Sequence, residues 1–309
     1  FKTTLYHINK MEKDKYIISP AKIKYKEEAK DFIENCMKSK FKVIDINKKK
    51  SKSNSSRPFT TSTLQQTAGS KLGMSVKRTM MAAQHLYEAG LITYMRTDSV
   101  HLSKDALDKI ENYIKSKYDA KYYKRTVYKA KGGNTQEAHE AVRPTKIEMK
   151  GIKENNVKKI GSDEVRLYGL IWKRTVASQM SAAEYDVTSM LVNVSKNRSY
   201  VFQSIFRKLV FPGYLAVYNV DKEDDVISTK LPDVGTFLEA EEICGSQDYS
   251  KPPTRYNEVS LVSKLDPETG LNIGRPATYQ SIIAKVQGSY INVQDVPGKE
   301  YKSISYKWE

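Results

Sequence analysis

The sequence predicts a multidomain protein of mixed α and β structure. Its 309 residues are enough for two or three compact domains. Apolar residues recur at helical spacing from about residue 58 to 182, and the period falls towards two from about 183 to 247. Helical spacing returns after Pro253. We therefore expect a mostly helical central region, a largely β region after it, and a helical segment at the end.

The first 57 residues combine both patterns. We expect a strand over 3–8, a helix around 29–36 and a strand over 41–44. The next stretch, Asn47–Pro58, is rich in Ser and Lys and is predicted to be a hinge or linker. Its lysines could contact an anionic partner, but a solvated run of charge is the favoured interpretation.

Three helices are predicted in the central region. Ser62 and Gln65 form a capping-box pattern for the first. The second is expected to begin near Ser75, and its apolar face consists of Val76, Met80, Ala83 and Tyr87. Gly90 follows where a left-handed C-terminal cap is common, and Ser103 is expected to open the third helix. The segment between Gly90 and Ser103 thus joins two rigid elements.

In the last third of the chain, apolar residues first alternate with polar ones and then recur at helical spacing. The predicted strands are 190–194, 200–202, 206–211 and 214–220. Asp221–Asp225 superficially resembles a magnesium-binding cluster, and an exposed acidic turn is the favoured interpretation. One helix is predicted around 261–265. Another is predicted to begin at Pro276, and its expected apolar face consists of Tyr279, Ile282, Ile283 and Val286.

Leu91–Ser99 is the segment with the clearest chemistry. In an extended backbone, residues i and i+2 point the same way, so Tyr94, Arg96 and Asp98 are expected to share one face. A free phenol has a pKa of about 10 and is a poor nucleophile at neutral pH. A neighbouring guanidinium favours the phenolate and can hold a phosphate oxygen through paired N–H donors. The pattern therefore indicates attack on a phosphodiester.

The composition indicates an anionic partner. Lys and Arg number 52 against 36 Asp and Glu, which gives a net charge of +16 and a pI near 9.4. Nucleic acid is the usual partner of such a chain, and a merely soluble basic surface is the alternative. No apolar run approaches the about 18 residues of a membrane span, and no signal peptide is visible. Cys36 and Cys244 lie far apart, so neither a disulfide framework nor a cysteine zinc site is indicated, and an intracellular setting is expected.

Separated blocks of the sequence resemble the bacterial-type type IA DNA topoisomerases, in family order. The block that includes Tyr94 is Gln84–Ser99, and the others are Pro58–Gln66, Lys77–Met81, Gln136–Pro144 and Gly274–Tyr279. The resemblance covers most of the chain and is firmest from about 57 to 182. It implies a type IA core, in which 1–57 and 183–248 form a discontinuous β-rich arch or hinge domain, 58–182 a helical tyrosine-bearing domain, and 249–309 a partial helical base domain.

The resemblance also implies an activity. Tyr94 would attack one DNA strand and become linked to its 5′-phosphate, and Arg96 would stabilise the transition state. Another strand would pass before the break is resealed without ATP, which relaxes negatively supercoiled DNA. The implied partner is DNA, single-stranded or negatively supercoiled, and the implied location is cytoplasmic or nucleoid-associated, with no membrane.

Further residues match family positions near DNA. His139-Glu140 lacks the second histidine of a metalloprotease pattern, so zinc is not expected in this chain. Arg143 is either a phosphate ligand or an internal ion-pair partner. Ala277 stands where many relatives carry serine. The DNA contacts implied by the resemblance are His139, Arg143, Arg275, Thr278, Gln84, Glu88 and Asp98.

The family also needs an acidic Asp-x-Asp-x-Glu site for Mg²⁺ in a Toprim domain, on the same or a companion polypeptide. That motif is not found in these residues, and zinc domains typical of the family's C-terminal part are not found either. The chain is therefore expected to be a fragment that binds single-stranded DNA but does not relax supercoils alone. A non-catalytic DNA-binding or gate module of a degenerate paralogue is the alternative. A rolling-circle relaxase would need a histidine cluster, which the four histidines do not form.

Overall fold

The computed structural model describes residues 3–12, 15–128, 140–154, 160–219, 231–247, 251–266, 270–288 and 304–306. The strands are β1 Thr4–Glu12, β2 Lys15–Pro20, β3 Phe41–Ser53, β4 Ala183–Val194, β5 Asn197–Phe211, β6 Phe237–Leu238, β7 Gly245–Gln247 and β8 Ile304–Tyr306. The α-helices are α1 Lys26–Met37, α2 Thr61–Leu72, α3 Val76–Glu88, α4 Lys104–Lys117, α5 Ser162–Ser178, α6 Glu258–Leu265 and α7 Tyr279–Gly288. Short 3-10 helices cover Ala120–Tyr122, Gly213–Tyr218 and Pro276–Thr278. The predicted mixture of α and β structure is confirmed.

One antiparallel sheet unites two distant parts of the chain. Its strand order is β2-β1-β5-β4-β3-β6, so strands that precede the central helices pair with strands that follow them. At one end of the sheet, Ser53 of β3 lies opposite Ala183 of β4. Helix α1 covers the sheet through Phe32 and Cys36, which are buried with Val194. The chain therefore leaves the sheet for the helical region and returns from it at neighbouring positions.

The first part of the Lys-rich segment before the helical region, up to Ser53, is a β-strand and not a linker. Residues 47–53 continue β3 and pair in register with β4, from Asn47 opposite Ser189 to Ser53 opposite Ala183. The linker prediction was wrong for these residues because their partners in β4 lie 130 to 142 positions away in the sequence, beyond any local signal. Lys48, Lys49 and Lys50 are exposed on this ribbon, as a solvated run of charge should be.

The central helices enclose a core that includes Leu86, Ile110 and Trp172. The indole N–H of Trp172 donates to the Ile147 carbonyl at 2.8 Å, which satisfies the buried polar atom. Ser75 and Ser103 cap α3 and α4 as predicted. Helix α5, which the sequence patterns left unassigned, packs against α3.

The capping box of the first central helix lies two residues before the predicted one. Thr60 caps α2, and its side chain exchanges hydrogen bonds with the N3 residue Thr63. The pattern Ser62–Gln65 is equally compatible with a capping box, but both side chains are buried. Ser62 instead donates a hydrogen bond to the buried carboxylate of Asp266. Tertiary contacts thus decided between two adjacent capping patterns.

Two strand predictions in the last third were wrong in part. Residues 200–202 and 206–211 belong to one continuous strand, β5. Residues 214–218 form a 3-10 helix rather than a strand, because Gly213 turns the chain with φ of +50° and Val217 is buried in the helical core. The acidic stretch 221–225 lies outside the described residues.

The C-terminal helices α6 and α7 pack against the start of α3. Val76 is buried among Val262, Leu265, Tyr279 and Ile283, and the backbone N–H of Val76 donates to the Glu258 carboxylate at 2.7 Å. Pro276 occupies the first helical turn before α7, as predicted. In the part of the chain that the structure describes, no helix is long and apolar enough to cross a membrane.

Candidate active site

The segment that carries Tyr94 alternates between buried and exposed side chains. Met95 and Thr97 are buried, whereas Tyr94, Arg96 and Asp98 are exposed. The predicted alternation is therefore present: the three side chains are exposed and those between them are buried. Tyr94 is 44% exposed, so its side chain is accessible to a large substrate. Burial of the alternate side chains orients the exposed ones away from the core.

Thr61, the first residue of α2, holds the backbone on both sides of Arg96. Its hydroxyl donates to the Met95 carbonyl at 2.7 Å and accepts from the Thr97 N–H at 2.8 Å. Its own N–H donates to the Thr97 carbonyl at 2.8 Å. Because Thr61 is fully buried, water cannot replace these bonds. The sequence reasoning missed this role, although Thr61 lies within the block Pro58–Gln66.

A third segment, which includes Ala141 and Arg143, holds the residues that immediately precede Tyr94. The Thr93 N–H donates to the Arg143 carbonyl at 2.9 Å, and the Thr93 hydroxyl donates to the Ala141 carbonyl at 2.7 Å. Ile92 forms a β-bridge with Pro144. Tyr94 is thus flanked by residues whose backbone is bonded to two separate parts of the chain.

Helix α3 ends in a tight turn that leads into this segment. The Gly90 N–H donates to the Tyr87 carbonyl at 2.8 Å, and the Leu91 N–H donates to the Leu86 carbonyl at 2.9 Å. This pair of bonds defines a Schellman motif, which requires a left-handed residue. Gly90 supplies it with φ of +68°, as predicted from the sequence.

The last turns of α3 lie beside the tyrosine. The rings of Tyr87 and Tyr94 meet edge to face, with centroids 5.3 Å apart and an interplanar angle of 66°. Gln84 and Glu88 share a helix face, as predicted, and the Gln84 amide donates to the Glu88 carboxylate at 2.8 Å. The contact between Tyr87 and Tyr94 was not foreseen, because an apolar helical face predicted burial for Tyr87, which is 41% exposed.

Arg143 takes the ion-pair alternative in this structure. Its guanidinium donates to the Glu140 carboxylate at 2.7 Å and to the Pro144 carbonyl at 3.0 Å. The other oxygen of Glu140 accepts from the Ser103 N–H at 2.7 Å. Burial by itself raises the pKa of the Glu140 carboxyl, but the bonds from Arg143 and Ser103 outweigh burial and lower the pKa overall. His139 lies outside the described residues.

Arg275 and Thr278 lie at the turn before α7. Both side chains are exposed, and the Thr278 hydroxyl donates to the Arg275 carbonyl at 2.8 Å. Helix α7, which follows them, joins the helical region through its packing against Val76. Their DNA contacts stay predictions.

The acidic and histidine side chains of the described residues are scattered rather than clustered. Among the residues that the structure describes, no three His, Cys, Asp or Glu side chains are grouped in a way that could hold a metal ion.

The chain matches the family model described as DNA topoisomerase over residues 2–303. It is 43% identical to the protein "DNA topoisomerase 1 type prokaryotic" of Acanthamoeba polyphaga mimivirus, over 87% of this chain and 32% of that protein. It is 40% identical to DNA topoisomerase 1 of Rickettsia bellii, over 93% of this chain and 36% of that protein. The chain thus spans about a third of the length of these relatives.

A solved structure shows the same architecture. Full-length topoisomerase I from Thermotoga maritima superposes with a TM-score of 0.70 and 32% sequence identity, over 92% of this chain and 46% of that chain. The family model, the relatives and this structure indicate the same family as the resemblance in the sequence. The chain therefore belongs to the bacterial-type, type IA DNA topoisomerases.

Proposed function

We propose that this chain carries the nucleophile of a DNA strand-cleaving and resealing reaction, and that Tyr94 is that nucleophile. The observation that carries the proposal is the exposure of Tyr94, Arg96 and Asp98 on a segment whose alternate residues are buried. An exposed phenol on a firmly bonded backbone can meet a DNA phosphate without a prior rearrangement of its own segment.

The proposed step is a reversible exchange of phosphate esters. Tyr94 Oη attacks the phosphorus, its O–P bond forms, and the phenol proton is lost. The bond from phosphorus to the 3′-oxygen breaks, and that oxygen takes up a proton. The 5′-phosphate remains on Tyr94, and attack by the 3′-hydroxyl reverses each change. One phosphate ester replaces another, so no ATP is consumed.

Arg96 supplies the positive charge in this proposal. A guanidinium is always protonated in proteins and matches two phosphate oxygens at once. Charge on those oxygens grows as the tyrosine attacks, so a fixed cation stabilises the transition state more than the ground state. The Thr61 bonds to Met95 and Thr97 support this role because they hold the backbone on both sides of Arg96.

The remaining parts of the proposal rest on membership of the type IA family. Mg²⁺ would be held by an acidic Toprim domain outside these 309 residues, and single-stranded or negatively supercoiled DNA inside the cell would be the substrate. Residues 1–57 with 183–248, 58–182, and 249–309 would be the β-rich, helical and base domains. The 309-residue chain alone would bind single-stranded DNA without relaxing supercoils.

A covalent adduct tests this function. The chain is mixed with a separately prepared acidic magnesium domain and single-stranded DNA labelled on the 5′-phosphate side of the break, and denatured samples are searched for labelled protein. We expect an adduct with the native chain that Tyr94→Phe abolishes. Tyr25→Phe, which alters an exposed tyrosine on another element, is the matched control and should retain it.

The same experiment tests the alternative function, a non-catalytic DNA-binding or gate module. If the native chain binds the DNA but forms no adduct, the non-catalytic binding module is the better description. If Tyr94→Phe still forms the adduct, another residue is the nucleophile. Relaxation of supercoiled DNA by the chain alone, with contaminating enzyme excluded, would contradict the proposed need for a separate magnesium domain.

A further inference from the structure

We propose that Tyr87 is a positioning residue for Tyr94, an inference that rests on the proposed function of Tyr94 as nucleophile. The observation is the edge-to-face contact of the two rings, with centroids 5.3 Å apart and planes at 66°. Edge-to-face pairs at this separation are favourable because the positive ring edge meets the negative ring face.

The backbones that carry the two rings are held firmly. Tyr87 lies in the last turn of α3, and its carbonyl accepts the Gly90 N–H in the Schellman motif. Thr93, next to Tyr94, is bonded to Arg143 and Ala141. The bonded turn therefore sets the distance between the two residues.

The Tyr94 side chain has fewer constraints than its backbone. Tyr94 is 44% exposed, so the core does not select one rotamer for it. Rotation about its side-chain bonds would move the hydroxyl away from its place on the exposed face. The ring of Tyr87 restricts that rotation, and the backbone that carries this ring is set by helix α3.

A positioning role predicts an effect on rate rather than on DNA affinity. Such ring pairs contribute about 0.5–1.5 kcal/mol, which corresponds to about a two- to tenfold change in rate. Tyr87→Ala should therefore slow adduct formation about two- to tenfold and leave the affinity for single-stranded DNA unchanged. Tyr87→Phe keeps the ring and should restore the native rate.

The experiment measures single-turnover adduct formation with the acidic magnesium domain present, and DNA affinity by fluorescence anisotropy. Met81→Ala is the matched control, because Met81 is an exposed side chain on the same helix and should leave the rate unchanged. A native rate in Tyr87→Ala overturns the proposal. Equal losses of rate in Tyr87→Phe and Tyr87→Ala also overturn it, because the hydroxyl would then matter instead of the ring. A loss of DNA affinity that parallels the loss of rate overturns it as well, because Tyr87 would then act in DNA binding.

A measurement without DNA separates this inference from the proposed function. Tyrosine ring resonances of the 309-residue chain report the neighbouring ring through its ring current. Tyr87→Ala should shift the Tyr94 resonance, and Tyr87→Phe should leave it close to its native position. An unchanged Tyr94 resonance in Tyr87→Ala refutes the ring contact even if the native chain forms an adduct. Failure of the native chain to form an adduct refutes the nucleophile instead.

Discussion

Replacement of Thr61 by valine removes a buried hydroxyl while nearly conserving the shape of the side chain. In the native structure that hydroxyl bonds both the Met95 carbonyl and the Thr97 N–H. Valine can make neither bond. Because Thr61 is fully buried, water does not reach the groups that lose their partner. The backbone on each side of Arg96 is therefore left less constrained.

The magnitude follows from the groups left without a partner. A buried donor or acceptor that loses its hydrogen bond costs about 1–3 kcal/mol. Two such groups, at Met95 and Thr97, give an expected loss of about 2–6 kcal/mol in the free energy of unfolding. Thr61→Ser keeps the hydroxyl and removes one buried methyl group, for an expected loss of about 1 kcal/mol.

Urea unfolding of the two variants and the native chain measures these differences, and hydrogen exchange at the Thr97 amide reports the local bond. We expect Thr61→Val to be the less stable variant and its Thr97 amide to exchange faster. Adduct formation should also slow more in Thr61→Val than in Thr61→Ser. Equal unfolding midpoints for the two variants would refute the reasoning, because the hydroxyl would then contribute nothing that the methyl group does not.

Two further predictions concern the turn and the ion pair beside the tyrosine. Gly90→Ala places a side chain at φ of +68° with no atom within 4 Å of the new Cβ, so only backbone strain opposes it, and thermal unfolding should show a loss of about 1 kcal/mol. A much larger loss would indicate a steric clash. Glu140 has a lowered pKa in the folded chain, so its contribution to stability is present above its ordinary pKa of 4.5 and is lost as the pH falls through the folded value. Glu140→Gln should therefore be less stable at pH 7 and show a weaker loss of stability on acidification, and an unaltered acid profile would contradict this.

Local patterns predicted the elements that their own residues define. The spacing of Val76, Met80 and Ala83 predicted α3, and Ser75 and Gly90 marked its two ends. These features depend on neighbours within about four positions, so the chain itself contains the information. The strand status of residues 47–53 depends instead on β4, and the structure alone supplies that partner.

In the candidate site, too, some features follow from the local sequence and others only from tertiary contacts. Side chains alternate along any extended backbone, so alternation predicted a common face for Tyr94, Arg96 and Asp98. In the structure all three side chains are exposed. Nothing local predicted that the Arg143 carbonyl would accept the N–H of Thr93, which lies 50 positions earlier in the sequence. Such contacts join segments that are distant in sequence.

The sequence by itself determined which residues are proposed to carry the chemistry, and it predicted the alternation that leaves them exposed. The tertiary structure decided what holds them: the hydroxyl of Thr61 on both sides of Arg96, and the ring of Tyr87 against Tyr94. The physical reason is that periodicity sets the direction of a side chain along its own element. Hydrogen bonds and ring contacts between elements depend on packing, which brings together residues that no local pattern connects.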